Sequence, residues 1–126
     1  MKFFLFYILP ILIYMTVIFY LSGLSSTGIS LGFDESGFLL HIIEYFILCF
    51  LIHRGFSNSS LGFSTYSFLA FSISISVLYG ITDEIHQSFI PNRTASLIDI
   101  FADFVGSVSG SVAYLKLIRK TRMGYE

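Results

Sequence analysis

The sequence predicts an all-α integral membrane protein, a four-helix bundle with both termini cytoplasmic. Three observations carry that expectation. Hydrophobic residues make up 55% of the 126 residues and charged residues only 12%, against roughly 25% charged in an ordinary soluble domain. Four apolar segments alternate with short stretches rich in Gly, Ser, Asn or Pro. The Lys and Arg residues flanking those segments fall almost entirely on one side.

The first segment, about 3–22, carries no charge and ends at Ser22. At about 1.5 Å per residue it reaches roughly 30 Å, one hydrocarbon core. Lys2 before an apolar stretch also suits a signal peptide. The stretch exceeds the usual apolar core of such a peptide, about 7–15 residues, and no A-x-A site follows, so a retained helix is expected. Pro10 is a candidate kink. The second segment, about 38–52, is shorter and carries His41 and Glu44. The third, about 66–86, stays apolar until Asp83. The fourth, about 95–118, carries Asp99 and Asp103. Together they make one transmembrane domain over 1–126.

Lys2, Arg54, Lys116, Arg119, Lys120 and Arg122 flank one side of a four-helix array and Arg93 the other. Lys and Arg favour the cytoplasmic side, so the Asp34–Glu35 loop and the Ile90–Thr94 turn should face outward. A net charge of −1 gives no reason to expect a nucleic-acid partner. The single Cys49 excludes an intrachain disulfide and a cysteine-only metal site. His53 and Arg54 read as the cytoplasmic edge of the second helix.

Four of the 8 acidic residues, Asp83, Glu84, Asp99 and Asp103, fall between Tyr79 and Asp103. With the orientation above, they join His41, Glu44, His86 and Arg93 in the outer half of the membrane or at its surface. Asp103 would lie about 12 Å below the start of the fourth helix. Spacing favours convergence: His41/Glu44 and His41/Tyr45, Asp83/Gln87, and Asp99/Asp103 each share a helix face. Charges facing lipid would be costly, so these faces should turn inward. Ser96-Leu97-Ile98-Asp99 also fits a helix N-cap, which gives Asp99 a structural reading beside the functional one. Pro91 and Asn92 read as turn formers. Ala102, Gly106 and Gly110 on the fourth helix, and Ser72, Ser76, Gly80 and Glu84 on the third, form small-residue ridges that predict close contact between those two helices. Glu44, Asp83, Glu84, Asp99 and Asp103 outnumber Arg93 and two histidines, so retained protons or a bound cation must offset the remainder.

TDEIHQSFIPNRTASLIDIFADFVG, Thr82–Gly106, resembles the signature of the VanZ-like family of bacterial membrane proteins. His41-x-x-Glu44-Tyr45 resembles an upstream element of that family, and Phe19-Tyr20-Leu21-Ser22 the serine that ends its first helix. The resemblance covers about 14–110. One departure is Asp103, where the family pattern leads us to expect Asn. The resemblance implies a multi-pass protein of the bacterial plasma membrane with an envelope-related role, in a family named for an accessory protein of glycopeptide-antibiotic resistance. It implies no reaction.

Two functions follow as expectations. The first is binding of a lipid-linked or other envelope ligand, or a membrane protein partner, through an outward polar pocket built from His41, Glu44, Tyr45, Asp83, Glu84, His86, Gln87, Arg93, Asp99 and Asp103. The second is a small intramembrane enzyme acting on an envelope substrate. Asp83, Glu84, His86 and Asp103 are then the catalytic candidates. His41, Glu44, Asp83, His86 and Asp99 are candidate ligands for a divalent metal, the one cofactor the sequence suggests. A His/carboxylate set suits several metals, but no metalloprotease-type signature accompanies it.

Overall fold

The computed structural model of the chain describes residues 1–24 and 36–123. The expected Asp34–Glu35 loop lies outside them. The first helix opens as a π-helical segment, Phe4–Ile8, and continues as α1, Leu9–Ser22. Then come α2, Ser36–Ser57, α3, Thr65–Gln87, and α4, Leu97–Met123. The described residues contain no strand. All four helices are long and apolar enough to cross a membrane, and the chain is a multi-pass membrane protein.

The π segment has a local cause. Pro10 lacks the N–H that would bond the Phe6 carbonyl in an α-helix. Arg54 Nη1 donates to that carbonyl at 3.1 Å, and its guanidinium lies over the Tyr7 ring. Arg54 therefore does more than mark an edge: it fastens α2 to the weakened start of the first helix. At the same end Tyr7 Oη donates to Asn58 Oδ1, and Asn58 Nδ2 donates to Tyr114 Oη.

The second helix runs past the expected residue 52 because His53 is not an interfacial residue. It is fully buried, with Nδ1 2.6 Å from Ser111 Oγ on α4. Partnered in this way, a polar ring can lie inside the bundle without ending the helix. The third helix starts at an N-cap, the Ser64 hydroxyl accepting from the Ser67 N–H.

The most extensive interface joins α2 and α4. Gly106 and Gly110 lie against the α2 backbone, where a Cβ would overlap the Ile42 and Phe46 carbonyl oxygens respectively. This corrects the expectation that the Ala102–Gly106–Gly110 ridge meets the third helix. A neighbouring stripe, Asp103–Ser107–Ser111, faces inward beside it. Ser107 Oγ donates to Ser76 Oγ at 2.8 Å, and Asp103 packs on Gly80. The two stripes differ by one residue, about 100° around the helix: the glycines lie against the α2 backbone, while Asp103, Ser107 and Ser111 line the seam where α4 meets both α2 and α3.

The interior thus contains many hydroxyls and small residues, with an apolar cluster of Ile18, Tyr45, Leu48 and Ile52. Large apolar side chains such as Leu12, Ile43, Leu78 and Phe101 face outward. Apolar surface outside and polar groups turned inward is the distribution that lipid favours.

Candidate functional site

The polar cluster is built at the Ser22 end of the bundle from all four helices. On α4, Asp103 is fully buried and its Oδ1 lies 2.8 Å from His41 Nδ1 on α2. The other His41 nitrogen, Nε2, is 3.9 Å from Glu84 Oε1 on α3. One donor atom each from His41, Glu84 and Asp99 lies within 4.8 Å of the other two. Among the described residues, Asp103 Oδ2 and the hydroxyl of buried Tyr45 have no hydrogen-bond partner. The Tyr45 ring is parallel to that of His41, one helical turn away, with centroids 6.2 Å apart.

Asp83 and Glu84 are adjacent in sequence but point to different helices. Asp83 Oδ1 accepts from Ser22 Oγ at 2.6 Å. Glu84 Oε2 accepts from the backbone N–H of Ser96 at 2.7 Å. Gln87 bridges them: its Nε2 donates to Asp83 Oδ2 at 3.0 Å and to Glu84 Oε1 at 3.3 Å. The helix continues to Gln87, so His86 is in its last turn and not in the connecting turn. The His86 ring stacks on Phe19 at 4.0 Å, and its Nδ1 is 3.5 Å from Ser22 Oγ.

The turn before α4 delivers Arg93. The Arg93 N–H donates to the Ile90 carbonyl across Pro91 and Asn92, and Asn92 has φ 65°. Proline followed by a positive φ is the pattern of a type II turn, which Asn tolerates. It turns Arg93 back so that Nη1 donates to Gln87 Oε1 at 3.0 Å.

Asp99 occupies the third position of the α4 cap. Its N–H donates to Ser96 Oγ at 3.3 Å. In a capping box the acidic residue would reach back to the Ser96 N–H. Here Glu84 takes that N–H from another helix, leaving the Asp99 carboxylate near His41 and Glu84. Both readings of Asp99 therefore have a structural counterpart.

The candidates thus form two linked groups. His41, Glu84, Asp99 and Asp103 face one another between α2, α3 and α4. Asp83 and His86 face α1, so these two stand apart from the histidine–carboxylate group among the five expected metal ligands. Glu44 is half-buried and, among the described residues, shares no hydrogen bond with the other candidates. An apolar groove lined by Phe3, Ile8, Ile11, Ile52 and Phe56 lies at the opposite end and contains none of them.

The family model described as VanZ/LLP1 matches residues 4–119. The chain belongs to the VanZ/LLP1 family. No curated protein and no solved structure matches it. The VanZ/LLP1 match includes every candidate residue and also a second buried polar group that sequence reasoning missed. That group lies toward the other end of the bundle, where His53 meets Ser111 and packs on the Tyr114 ring at 5.0 Å. Its signal was the four-residue spacing Asp103–Ser107–Ser111. Ser22 and Ser96 were legible as a helix end and a cap, but not as partners of Asp83 and Glu84.

Proposed function

We propose that this VanZ/LLP1 protein sits in a bacterial plasma membrane with its polar cluster facing outward, and that it binds an anionic, lipid-linked envelope ligand there. The observation that supports this reading is the position of Arg93. Its Nη1 hydrogen bond goes to the neutral amide of Gln87, and among the described residues no Lys or Arg nitrogen lies within 4.0 Å of a carboxylate. A guanidinium beside the cluster, held by a neutral partner, keeps its charge and further donors for a phosphate or carboxylate. The lipid portion of such a ligand would remain in the bilayer against the apolar outer surface.

The test uses protein purified in detergent micelles and a polyprenyl phosphate, with the matching polyprenol as control. Native mass spectrometry should show retention of the phosphate over the alcohol. Arg93→Ala should weaken retention about tenfold, as expected for loss of a charge-assisted contact. Equal retention of alcohol and phosphate, or no effect of Arg93→Ala, would rule the reading out.

A second reading, a small intramembrane acid/base enzyme acting on an envelope substrate, is favoured by one observation. The His41–Asp103 pair at 2.8 Å is an arrangement that can hold and pass a proton. Conversion of an offered polyprenyl diphosphate that stops in His41→Gln would support it. Binding without turnover would favour the first reading.

A further inference from the structure

We infer that His41, Glu84 and Asp99 form a binding site for a divalent transition-metal ion, with Asp103 as the residue that positions His41. The site shares the polar cluster with the ligand-binding reading but needs no lipid ligand, so the two can fail separately.

Three observations lead to the ion. The first is the donor set. One imidazole nitrogen and two carboxylates come from three helices, with their donor atoms within 4.8 Å of one another. Around an ion with bonds of about 2.1 Å, tetrahedral ligands stand about 3.4 Å apart. The present triangle therefore needs a contraction of roughly an ångström. Asp99, half-buried in the first turn of α4, can supply part of it by changing rotamer.

The second observation is the orientation of His41. Asp103 holds Nδ1 at 2.8 Å, while Nε2 faces Glu84 Oε1 at 3.9 Å. A histidine that ligates a metal commonly donates its other N–H to a carboxylate, which fixes the tautomer and the ring. Here that carboxylate is fully buried. A carboxylate at such depth is costly unless its partner gives it a purpose or a counter-charge.

The third is uncompensated charge. Glu84, Asp99 and Asp103 surround one imidazole, and among the described residues no Lys or Arg approaches any of them within 4.0 Å. Asp103 Oδ2 is buried against Gly80, without a hydrogen-bond partner among the described residues. Gly80 lies one turn below Glu84 and Asp103 one turn below Asp99, so this oxygen sits in the same α3–α4 seam, one turn deeper than the two ligating carboxylates. With a His41–Asp103 ion pair the three ionised carboxylates leave two negative charges; with His41 neutral and ligating, a divalent cation leaves one.

The imidazole selects the class of ion. Magnesium and calcium prefer all-oxygen sites, whereas zinc, manganese and iron accept mixed nitrogen and oxygen donors. Three protein ligands leave a position open for water or for an oxygen of an anionic headgroup.

The experiment uses the full chain in detergent micelles, stripped with a chelator and titrated calorimetrically with Zn²⁺ and no added lipid. One equivalent should bind. His41→Gln, Glu84→Gln and Asp99→Asn should each weaken binding at least about tenfold. Asp103→Asn should weaken it about 10–100-fold while stoichiometry stays at one, as expected for a residue acting through His41. His53→Gln, at the other polar centre, should leave affinity unchanged. Helicity is measured on every variant, and Asp99→Asn, at a half-buried position, decides the matter should a core variant not fold. Absence of saturable binding would overturn the inference. So would affinity undiminished in His41→Gln and Asp99→Asn, or a loss in His53→Gln as large as in His41→Gln.

Discussion

The carboxylate of Asp103 packs directly on the bare backbone of Gly80, with its Oδ1 on His41 and its Oδ2 on the glycine side. Glycine is required here by space and not by backbone conformation, because Gly80 lies within a regular helix. Gly80→Ala would place a methyl where the carboxylate sits. The hypothesis is a loss of about 1–3 kcal/mol from overpacking, read as a lower melting temperature in detergent. Combining it with Asp103→Ser should recover part of that loss. Strictly additive effects would show that the two residues do not compete for the same space.

Gly110→Leu should separate α2 from α4, since even a Cβ overlaps the Phe46 carbonyl. Gly106→Leu should do the same at Ile42. Backbone cannot yield as a side-chain tip can, so a loss of about 3 kcal/mol or more is expected. Membrane accumulation and thermal stability report it. A disulfide-trapping pair across α2 and α4 should lose efficiency in the variant, and unchanged trapping would contradict the assigned interface.

Arg54 and Pro10 should be energetically coupled. Arg54→Ala removes the donor to the Phe6 carbonyl that Pro10 leaves without its α-helical partner. In a Pro10→Ala background the main chain can supply that donor itself. The hypothesis is a coupling of at least about 0.5 kcal/mol in a double-mutant cycle on thermal stability. A coupling near zero would mean that the Arg54 bond is incidental.

Cys49, on α2, is fully buried. A membrane-permeant maleimide should therefore leave it unmodified in folded protein and label it quantitatively in denaturant, as measured by intact mass. Rapid labelling under native conditions would mean that the bundle opens at this point. Confirmed protection would make Cys49 a built-in reporter for the stability measurements above.

Orientation is a separate hypothesis, drawn from six Lys and Arg residues at one end of the helices against Arg93 at the other. A cytoplasm-dependent reporter fused after Glu126 should be active and an export-dependent one silent. The opposite pattern would turn the polar cluster toward the cytoplasm.

The four helices were legible because hydropathy reports lipid-facing surface, and Leu12, Ile43, Leu78 and Phe101 have nowhere else to be. The end of α2 was not. Hydropathy penalises His53 and Arg54, and only the fold supplies Ser111 for one and the Phe6 carbonyl for the other. Within the cluster, spacing put Asp99 and Asp103 on one face and signalled that the charges turn inward. It did not say that Asp83 and Glu84 diverge to α1 and α4, because which helix stands on which side is set by packing. The same ambiguity directed the Gly106–Gly110 ridge to the wrong neighbour. The cap that Glu84 supplies to Ser96 is non-local, 12 residues apart across a turn, and no local pattern announces it.

The first helix buries only Ile18 and Ser22 in α1, and its polar ties lie far along the chain. Ser22 waits for Asp83, 61 residues later, and the Met15 carbonyl waits for the Tyr79 hydroxyl, 64 residues later. The helix that leaves the ribosome first is thus positioned to dock in two stages. Its apolar face, with Ile18 against Tyr45, Leu48 and Ile52, and its Phe6 carbonyl, held by Arg54, find their partners as soon as α2 is inserted. The polar ties of Ser22 and Met15 must await α3. A nascent chain arrested after α2 should then show a cysteine at Ile18 already protected from lipid-side crosslinking probes, while one at Ser22 stays accessible until α3 has entered the bilayer. Free access at Ile18 in that arrested chain would mean that α2 alone does not hold the first helix.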